Sequence, residues 1–178
     1  MQKSCVIIPC RYASTRFEGK PLAMLNNAYL MTYPYRAAMK AETISGVYIA
    51  TDDDRISSVC KKLGMNFILT DPNHACGTDR VAEAFDKLKS KYENVINVQG
   101  DEPFVSFSEI DQCNNFLNSN KNYSAVNGVA PIIKMEDLLN TGVVKVVLNS
   151  HKKILYFSRG AVPHPFVKKI NINYYRQL

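Results

Sequence analysis

The sequence lacks an apolar run long enough to cross a membrane, and no signal-peptide pattern opens it. It also lacks a Cys-x-x-Cys pair, and its five cysteines are widely spread and odd in number. Such usage excludes a disulfide framework and a zinc site of the usual spacing, and it is typical of reduced thiols in the cytosol. We therefore expect a cytoplasmic protein with no membrane partner.

Acidic residues are missing from the last part of the chain. From Lys145 to the end there are seven Lys or Arg and no Asp or Glu, whereas residues 1–144 carry fifteen basic and sixteen acidic residues. A basic segment can indicate a nucleic-acid partner. Here the cations are scattered among strand-like residues without a recognisable nucleic-acid motif, so we expect no nucleic acid. We interpret the segment as one separated from an acidic partner segment.

The rest of the composition is that of an ordinary globular domain. The chain has 178 residues, of which 46% are hydrophobic and 21% are charged, and this is enough for one domain with a core. Up to residue 117, strand-like runs alternate with helix-like runs. This alternation predicts a three-layer α/β fold, with a mostly parallel sheet and helices on both of its faces. The predicted strands are 5–8, 46–50, 66–69 and 95–98, the last of them central, and the predicted helices are 55–63, 79–89 and 106–117.

One further helix is predicted near Pro34. Apolar positions within residues 28–41 fit a helix, but a proline in a helix interior removes a hydrogen bond and clashes with the preceding turn. Either the helix begins near Tyr33 with Pro34 in its first turn, or it kinks at Pro34.

The pattern changes after residue 117. Residues 124–133 are strand-like, and the apolar runs 143–147 and 154–157 flank the polar segment Asn149–Lys152. This arrangement predicts a C-terminal β-hairpin extension.

Cations and hydroxyls are concentrated in the loop after the first predicted strand. That strand should end at Pro9, which cannot donate to a sheet ladder. Residues 11–20 then contain three cations, two hydroxyls and Gly19. Such a loop places cations and backbone N–H groups where a polyphosphate could bind. The alternative is that the cations are merely solvated. The loop is not a Walker loop, because the spacing of its glycine and lysine is wrong.

Two groups of acidic residues follow predicted strands. The run Asp52–Asp54 could bind a metal, but we favour the alternative that Asp53 caps the next helix. Asp101 lies after a buried strand, at the edge where open α/β sheets bind ligands. It could also cap the following helix, but Ser106 and Glu109 already form a capping box there. Asp101 is therefore our candidate ligand for Mg²⁺, a cation that prefers oxygen.

Three short motifs together resemble one known family. They are Ile8–Arg16 with Gly19–Leu22, then residues 95–103, and finally residues 144–147 with 155–159, Pro163 and His164. This combination resembles the 3-deoxy-manno-octulosonate (Kdo) cytidylyltransferases, the CMP-Kdo synthetases. One departure is Phe17-Glu18, where the family usually has Leu-Pro, and we expect Glu18 to point away from a phosphate. The resemblance implies a nucleotide-diphospho-sugar transferase-like fold. It also implies Mg²⁺-dependent transfer from CTP to Kdo, giving CMP-Kdo and pyrophosphate for lipopolysaccharide synthesis.

The resemblance also implies roles for individual residues. Catalysis is implied for Arg11, Lys20 and Asp101, of which Asp101 would hold the metal. Nucleotide binding is implied for Cys10, Arg11, Ala13, Ser14, Lys20, Gly77, Thr78, Arg80 and Gln99, with the loop His74–Arg80 receiving the cytosine and ribose. Sugar binding is implied for Gln99, Arg159 and His164, and the Arg159 guanidinium could grip the sugar carboxylate with two hydrogen bonds. The structural alternatives are an N-cap at Thr78 or Asp79, an exposed His74 and a surface Arg159.

The resemblance divides the chain into a nucleotide-binding part, residues 1–118, and a sugar-binding and dimerisation part, residues 119–178. Family members continue beyond a run similar to Tyr174-Tyr175-Arg176, and that C-terminal third carries a second metal-binding aspartate and a sugar-site glutamate. We therefore expect either a fragment or a shortened relative, for which the family's homodimer is less expected. Two alternatives are an impaired nucleotide-binding remnant that could also bind a complementary polypeptide, and an enzyme for 8-amino-Kdo or another nonulosonate-like acid.

Overall fold

The first predicted strand, β1 (Ser4–Pro9), lies inside a parallel sheet in the computed structural model, which describes residues 3–13, 17–164 and 173–178. The chain divides into two compact units, Met1–Ser124 and Ala125–Leu178. In the first unit, β1 pairs in parallel with β4 (Gly46–Thr51) and with β6 (Asn94–Asn97), and β4 pairs in parallel with β5 (Phe67–Leu69). The strand order is β5-β4-β1-β6.

Alternating side chains of β1 enter two separate cores. Val6 and Ile8 pack on one face, with Ile56 of α2 (Asp54–Leu63) and Ile110 of α4 (Phe107–Ser119). Cys5 and Ile7 point to the other face and pack against α3 (Gly77–Asp86). Because successive side chains of a strand face opposite ways, a strand apolar at every position is buried on both faces. The predicted three-layer α/β fold is confirmed.

The predicted helices form with small shifts of their ends. In α1 (Thr32–Ala38), Pro34 occupies the first turn, so the first of the two alternatives is correct. Asp53 caps α2 by accepting a hydrogen bond from the Arg55 N–H at 2.9 Å, and the capping box at the start of α4 is present. A short hairpin of β2 (Met24–Leu25) and β3 (Ala28–Tyr29) precedes α1.

Two details of the first unit differ from expectation. The strand predicted as central, β6, lies at the edge of the described four-stranded sheet, where its first three residues are partly buried and Asn97 is exposed. Helix α3 begins at Gly77, so Cys76 is its N-cap residue and neither Thr78 nor Asp79 is. The backbone turns into the helix at Cys76, which is extended, and the Asp79 carboxylate then lies 3.2 Å from the Cys76 Sγ.

The second unit is built on an antiparallel sheet. Its strands are β7 (Val129–Ile132), β8 (Lys145–Leu148), β9 (Ile154–Ser158) and β10 (Tyr174–Gln177), in the order β7-β10-β8-β9, and a short helix, α5 (Met135–Leu139), follows β7. The pairing of β8 with β9 confirms the predicted hairpin. In its turn, the Asn149 side chain accepts hydrogen bonds from the backbone N–H groups of His151 and Lys153. Within the described ranges of the chain, no helix is both long and apolar enough to span a membrane.

Candidate active site

A backbone hydrogen bond from Gly19 joins the two ends of the loop after β1. The Gly19 N–H donates to the Tyr12 carbonyl oxygen at 2.8 Å, and Gly19 has a φ of 67°, in the left-handed region that favours glycine. A Cβ at this position would lie 3.0 Å from the Tyr12 ring. Gly19 therefore allows the loop to close tightly, and a 3₁₀ helix, Lys20–Leu22, begins directly after it.

The Tyr12 ring carries a guanidinium on its face. The Arg55 Cζ lies 3.3 Å from the ring centroid. Two hydrogen bonds to the Asp53 carboxylate, of 2.9 and 2.6 Å, fix the Arg55 head, and they lower the pKa of Asp53. The exposed Glu18 contributes a further, smaller charge interaction with Arg55. The first turn of α2 thus supports the loop, a contact that no sequence spacing indicated.

Lys20 and Asp101 meet at the carboxyl edge of the parallel sheet. The Lys20 ammonium forms an ion pair with the Asp101 carboxylate, and both side chains are about half exposed. The two residues are 81 positions apart: Lys20 begins the 3₁₀ helix that follows the β1 loop, and Asp101 lies in the loop after β6. Two of the three residues expected in catalysis are therefore in contact. Arg11, the third, is exposed at the start of the same loop as Lys20.

Cys10 lies under the turn that carries Asp101. Its N–H donates to the Ala50 carbonyl at 2.8 Å, and its thiol is buried, which raises its pKa well above the usual range. A Cβ on Gly100 would lie 2.7 Å from the Cys10 Sγ and 3.0 Å from the Pro9 carbonyl oxygen. Glycine at position 100 therefore permits the turn to lie directly on the end of β1. Burial favours the neutral thiol of Cys10 over the thiolate, which is the nucleophilic form.

The start of α3 lies against the same edge. A Cβ on Gly77 would be 3.3 Å from the Pro9 ring and 3.9 Å from Gln99 Oε1, and the Gln99 amide donates to Asn97 Oδ1 at 3.0 Å. Thr78, the second helical residue, is exposed. The free N–H groups of a helix N-terminus and the Gln99 amide thus offer hydrogen-bonding groups close together.

The Arg80 guanidinium is buried beneath the site. It forms an ion pair with Asp52 at 3.0 Å and donates to the Thr70 hydroxyl. Asp52 and Thr70 follow β4 and β5, so Arg80 ties α3 to the ends of both strands. The run Asp52–Asp54 is accordingly used for this ion pair, for the cap of α2 and for its first turn.

The loop before α3 is held by Glu83. Its carboxylate contacts His74 Nε2 at 2.5 Å and Lys87 Nζ at 2.7 Å, and it accepts a hydrogen bond from the Asp71 N–H at 2.8 Å. These contacts lower the pKa of Glu83 to about 2. His74 is therefore a contact residue of this loop, with its side chain largely buried.

Arg159 and His164 lie in the second unit, where both are exposed. Arg159 Nη1 donates to the carbonyl of Thr141 at 3.0 Å and, more weakly, to that of Gly142 at 3.4 Å. Of the remaining expected residues, Ala13 is exposed in the loop after β1 and Ser14 falls outside the described residues.

Asp101 offers a carboxylate at the carboxyl edge of the sheet, where a metal ion would need an oxygen ligand. No group of three or more His, Cys, Asp or Glu side chains gathers around a metal position within residues 3–13, 17–164 and 173–178. Mg²⁺ commonly binds through one or two carboxylates and completes its shell with substrate phosphates and water. The exposed carboxylate of Asp101 fits that mode of binding.

Comparisons with known proteins agree with this architecture. A family described as Cytidylyltransferase matches residues 5–178. A 3-deoxy-manno-octulosonate cytidylyltransferase of Thermodesulfovibrio yellowstonii is 40% identical, with 94% of this chain and 69% of that protein covered. One from Fusobacterium nucleatum is 36% identical, with 97% and 69% covered.

The solved structures include a close neighbour of the fold. A CMP:2-keto-3-deoxy-manno-octonic acid synthetase complexed with CTP superposes with a TM-score of 0.89 at 28% identity, covering 99% of this chain and 71% of the other. A cytidylyltransferase from Leptospira borgpetersenii, at 17% identity and a TM-score of 0.60, shares the fold. The sequence match over nearly the whole chain and the shared parallel sheet lead to one conclusion: this chain belongs to the cytidylyltransferase family.

Proposed function

We propose that the protein transfers the cytidylyl group of CTP to Kdo, giving CMP-Kdo and pyrophosphate. The observation that carries the proposal is the ion pair between Lys20 and Asp101 at the carboxyl edge of the parallel sheet, where α/β folds bind their ligands. The relatives named as Kdo cytidylyltransferases and the neighbour complexed with CTP support the choice of both substrates.

In the proposed reaction, the anomeric hydroxyl oxygen of the sugar attacks the α-phosphorus of CTP. A new oxygen–phosphorus bond forms, the bond from the α-phosphorus to the bridging oxygen of the β-phosphate breaks, and the hydroxyl proton passes to solvent. A divalent cation, for which we propose Mg²⁺ on Asp101, neutralises charge on the phosphates when it is bound. Arg11 and Lys20 hold the β- and γ-phosphates, so the chain acts by positioning and by electrostatic stabilisation.

Before substrate binds, Lys20 and Asp101 also have the role of neutralising each other's charge. Each side chain neutralises the other, and both remain about half exposed and accessible to ligands. A triphosphate would compete for the Lys20 ammonium because it offers several anionic oxygens. Asp101 would then be freed from Lys20, so its carboxylate would become an available ligand as the nucleotide binds.

We assign cytosine and ribose to the groups around the start of α3. Gly77 lies close to Gln99 and to Pro9, the residue before Cys10, and Thr78 follows Gly77 in α3. We propose the Cys10 backbone, Ala13 and Ser14 as the rest of the nucleotide-binding set. Arg80 contributes through its ion pair with Asp52, which holds α3 against the ends of β4 and β5.

For the sugar, we propose a binding role for Gln99 of the first unit and, taken separately, for Arg159 and His164 of the second unit. The Arg159 guanidinium is exposed and keeps donors for the sugar carboxylate. Residues 1–118 would then serve the nucleotide, and residues 119–178 the sugar.

We further propose that the enzyme acts in the cytoplasm for lipopolysaccharide synthesis.

The test is direct product analysis. The protein is incubated with CTP, Mg²⁺ and Kdo, and CMP-Kdo and pyrophosphate are quantified by mass spectrometry and a coupled phosphate assay. With Kdo, we expect CMP-Kdo and pyrophosphate in equal amounts. The same assay with 8-amino-Kdo and with sialic acid compares the choice of sugar. Stabilisation by CTP in a thermal-shift assay without any CMP-sugar would contradict the proposal and indicate a nucleotide-binding protein without catalysis.

A further inference from the structure

Lys145, the first residue of β8, is buried in the second unit. Only 1% of its surface is exposed. Its ammonium group donates to three backbone carbonyls, those of Asn140 at 2.6 Å, Val143 at 2.9 Å and Arg159 at 3.0 Å. Within the described parts of the chain, no carboxylate lies within ion-pair distance of this lysine.

The three carbonyls match the three N–H groups of a protonated lysine. A neutral amine has only two N–H groups and could donate to only two of these three carbonyls. Burial and the positive charge of Arg159 lower the pKa of Lys145, whereas the charge of Asp137 raises it. The three carbonyls favour the protonated form and offset part of its desolvation cost. A buried methionine of similar length would avoid that cost, which indicates that the hydrogen bonds have a specific use.

All three carbonyls bound by Lys145 are connected with Arg159. One acceptor is the Arg159 carbonyl itself. The other two, on Asn140 and Val143, begin and end a four-residue turn, and the Arg159 guanidinium donates to the two carbonyls in the middle of that turn. Lys145 therefore holds the main chain of Arg159 directly and the head of its side chain through the turn.

The head of Arg159 keeps donors for a ligand. Its Nη1 is bound to the turn, whereas its Nε and Nη2 have no acceptor within the described residues. These two groups form one edge of the planar guanidinium, and such an edge can donate two parallel hydrogen bonds to a carboxylate. The buried charge of Lys145 also adds to the positive potential near Arg159.

We propose that Lys145 is a positioning residue that fixes Arg159 for the carboxylate of the acidic sugar. This inference rests on the proposed function, which assigns that carboxylate to Arg159. Lys145 does not contact the substrate, because its three donors are already taken by the protein. It acts by keeping the Nε and Nη2 edge of Arg159 in one orientation.

The test compares Lys145→Met with Lys152→Met in the CMP-Kdo assay. Lys152 is an exposed lysine in the turn between β8 and β9, so its variant removes the same charge from the same unit. We expect Lys145→Met to raise the KM for Kdo about tenfold or more, as for the loss of a buried hydrogen-bonded group. The KM for CTP should stay unchanged, and Lys152→Met should behave as wild type. An unchanged KM for Kdo in Lys145→Met would overturn the proposal.

A double variant separates positioning from general damage. If Lys145 acts through Arg159, Lys145→Met combined with Arg159→Gln should have the same KM for Kdo as Arg159→Gln alone. Multiplication of the two single effects would contradict the proposal, because it would show that Lys145 contributes independently of Arg159.

A third measurement does not depend on activity. NMR of the Arg159 Nε–H group and of the Gly142 and Val143 amides, whose N–H groups bond to Asn140, reports on the turn and the guanidinium. We expect these groups to become more mobile in Lys145→Met, with a corresponding change in their NMR signals. If the methionine variant does not fold, the same measurement is made on Lys145→Arg. Unchanged signals would overturn the proposal. If wild type makes no CMP-Kdo, the proposed function fails, whereas this measurement still decides whether Lys145 orders Arg159.

Discussion

Asp101→Asn should separate catalysis from stability. The substitution keeps the size of the side chain and removes its charge, so Lys20 loses its ionic partner but keeps an oxygen that can accept a hydrogen bond. Ser106 and Glu109 cap α4 independently of Asp101. The variant therefore tests a ligand of the reaction without removing a helix cap or a buried group.

The exposure of the ion pair sets the expected loss of stability. The side chains of Lys20 and Asp101 are 40% and 48% exposed, and exposed pairs contribute about 0.2–1 kcal/mol to the free energy of unfolding. For a chain of this size that corresponds to a decrease in Tm of no more than about 4 °C. The loss of an anionic ligand in the transition state should cost far more, at least about a hundredfold in kcat.

The assay measures Tm by calorimetry and the rate of CMP-Kdo formation at saturating CTP, Mg²⁺ and Kdo. Lys20→Ala is the matched partner, since it breaks the same ion pair from the other side. It should show a similarly small change in Tm, together with binding of CTP that is weaker by about 1–3 kcal/mol in calorimetric titration.

One result would refute this reasoning. If Asp101→Asn kept full turnover and Mg²⁺-dependent CTP binding while Tm fell by much more than the exposed ion pair explains, Asp101 would be a structural residue. The metal site would then have to be sought elsewhere in the chain.

Three further predictions concern the groups around the site. CTP should raise Tm more than UTP or ATP does if residues 77–80 read cytosine, because a wrong base leaves hydrogen-bonding groups unpaired; equal shifts with all three nucleotides would argue against this assignment. Arg55→Gln should raise the KM for CTP about twofold to fivefold, because it removes the cation from the face of the Tyr12 ring. The control is Lys61→Gln, on the same helix as Arg55, which removes a cation 5.7 Å from the ring of Phe67 in β5; it should leave the KM for CTP unchanged. The Glu83 carboxylate has its pKa lowered from 4.5 to about 2 by contacts made in the folded state, so its stabilising effect is full above pH 4.5 and is lost as the pH falls toward 2; the Asp71 amide signal should follow this loss in wild type, and an identical titration in Glu83→Gln would show that Glu83 is not responsible.

The elements that local sequence determines were predicted correctly. The apolar run Cys5–Ile8 of β1 had to be buried on both faces. Asp53 and the Ser106–Glu109 box had to precede helices because their side chains bond N–H groups only a few residues away. Pro34 similarly restricts its own neighbourhood, which fixes the start of α1. Interactions within a few residues can be read from spacing alone.

The order of the strands was not accessible in this way. The strand predicted as central lies at the edge of the described sheet, because local pattern indicates how apolar a strand is but not which strands pair with it. The start of α3 was likewise misplaced, by two residues, since the approach of Gly77 to Pro9 depends on where the sheet ends.

By itself, the sequence determined which residue types stand at the ends of the strands, and so it indicated that Lys20 and Asp101 were candidates for a phosphate and metal site. Only the tertiary structure decided that these two side chains meet, that Arg80 is buried in an ion pair with Asp52, and that three backbone carbonyls surround Lys145. The reason is physical: the contacts of Lys20 and Arg80 join segments far apart in the chain, and the burial of Lys145 depends on how its strand packs in the second unit. The presence of a lysine in a sequence does not show whether its side chain is solvated, paired or buried.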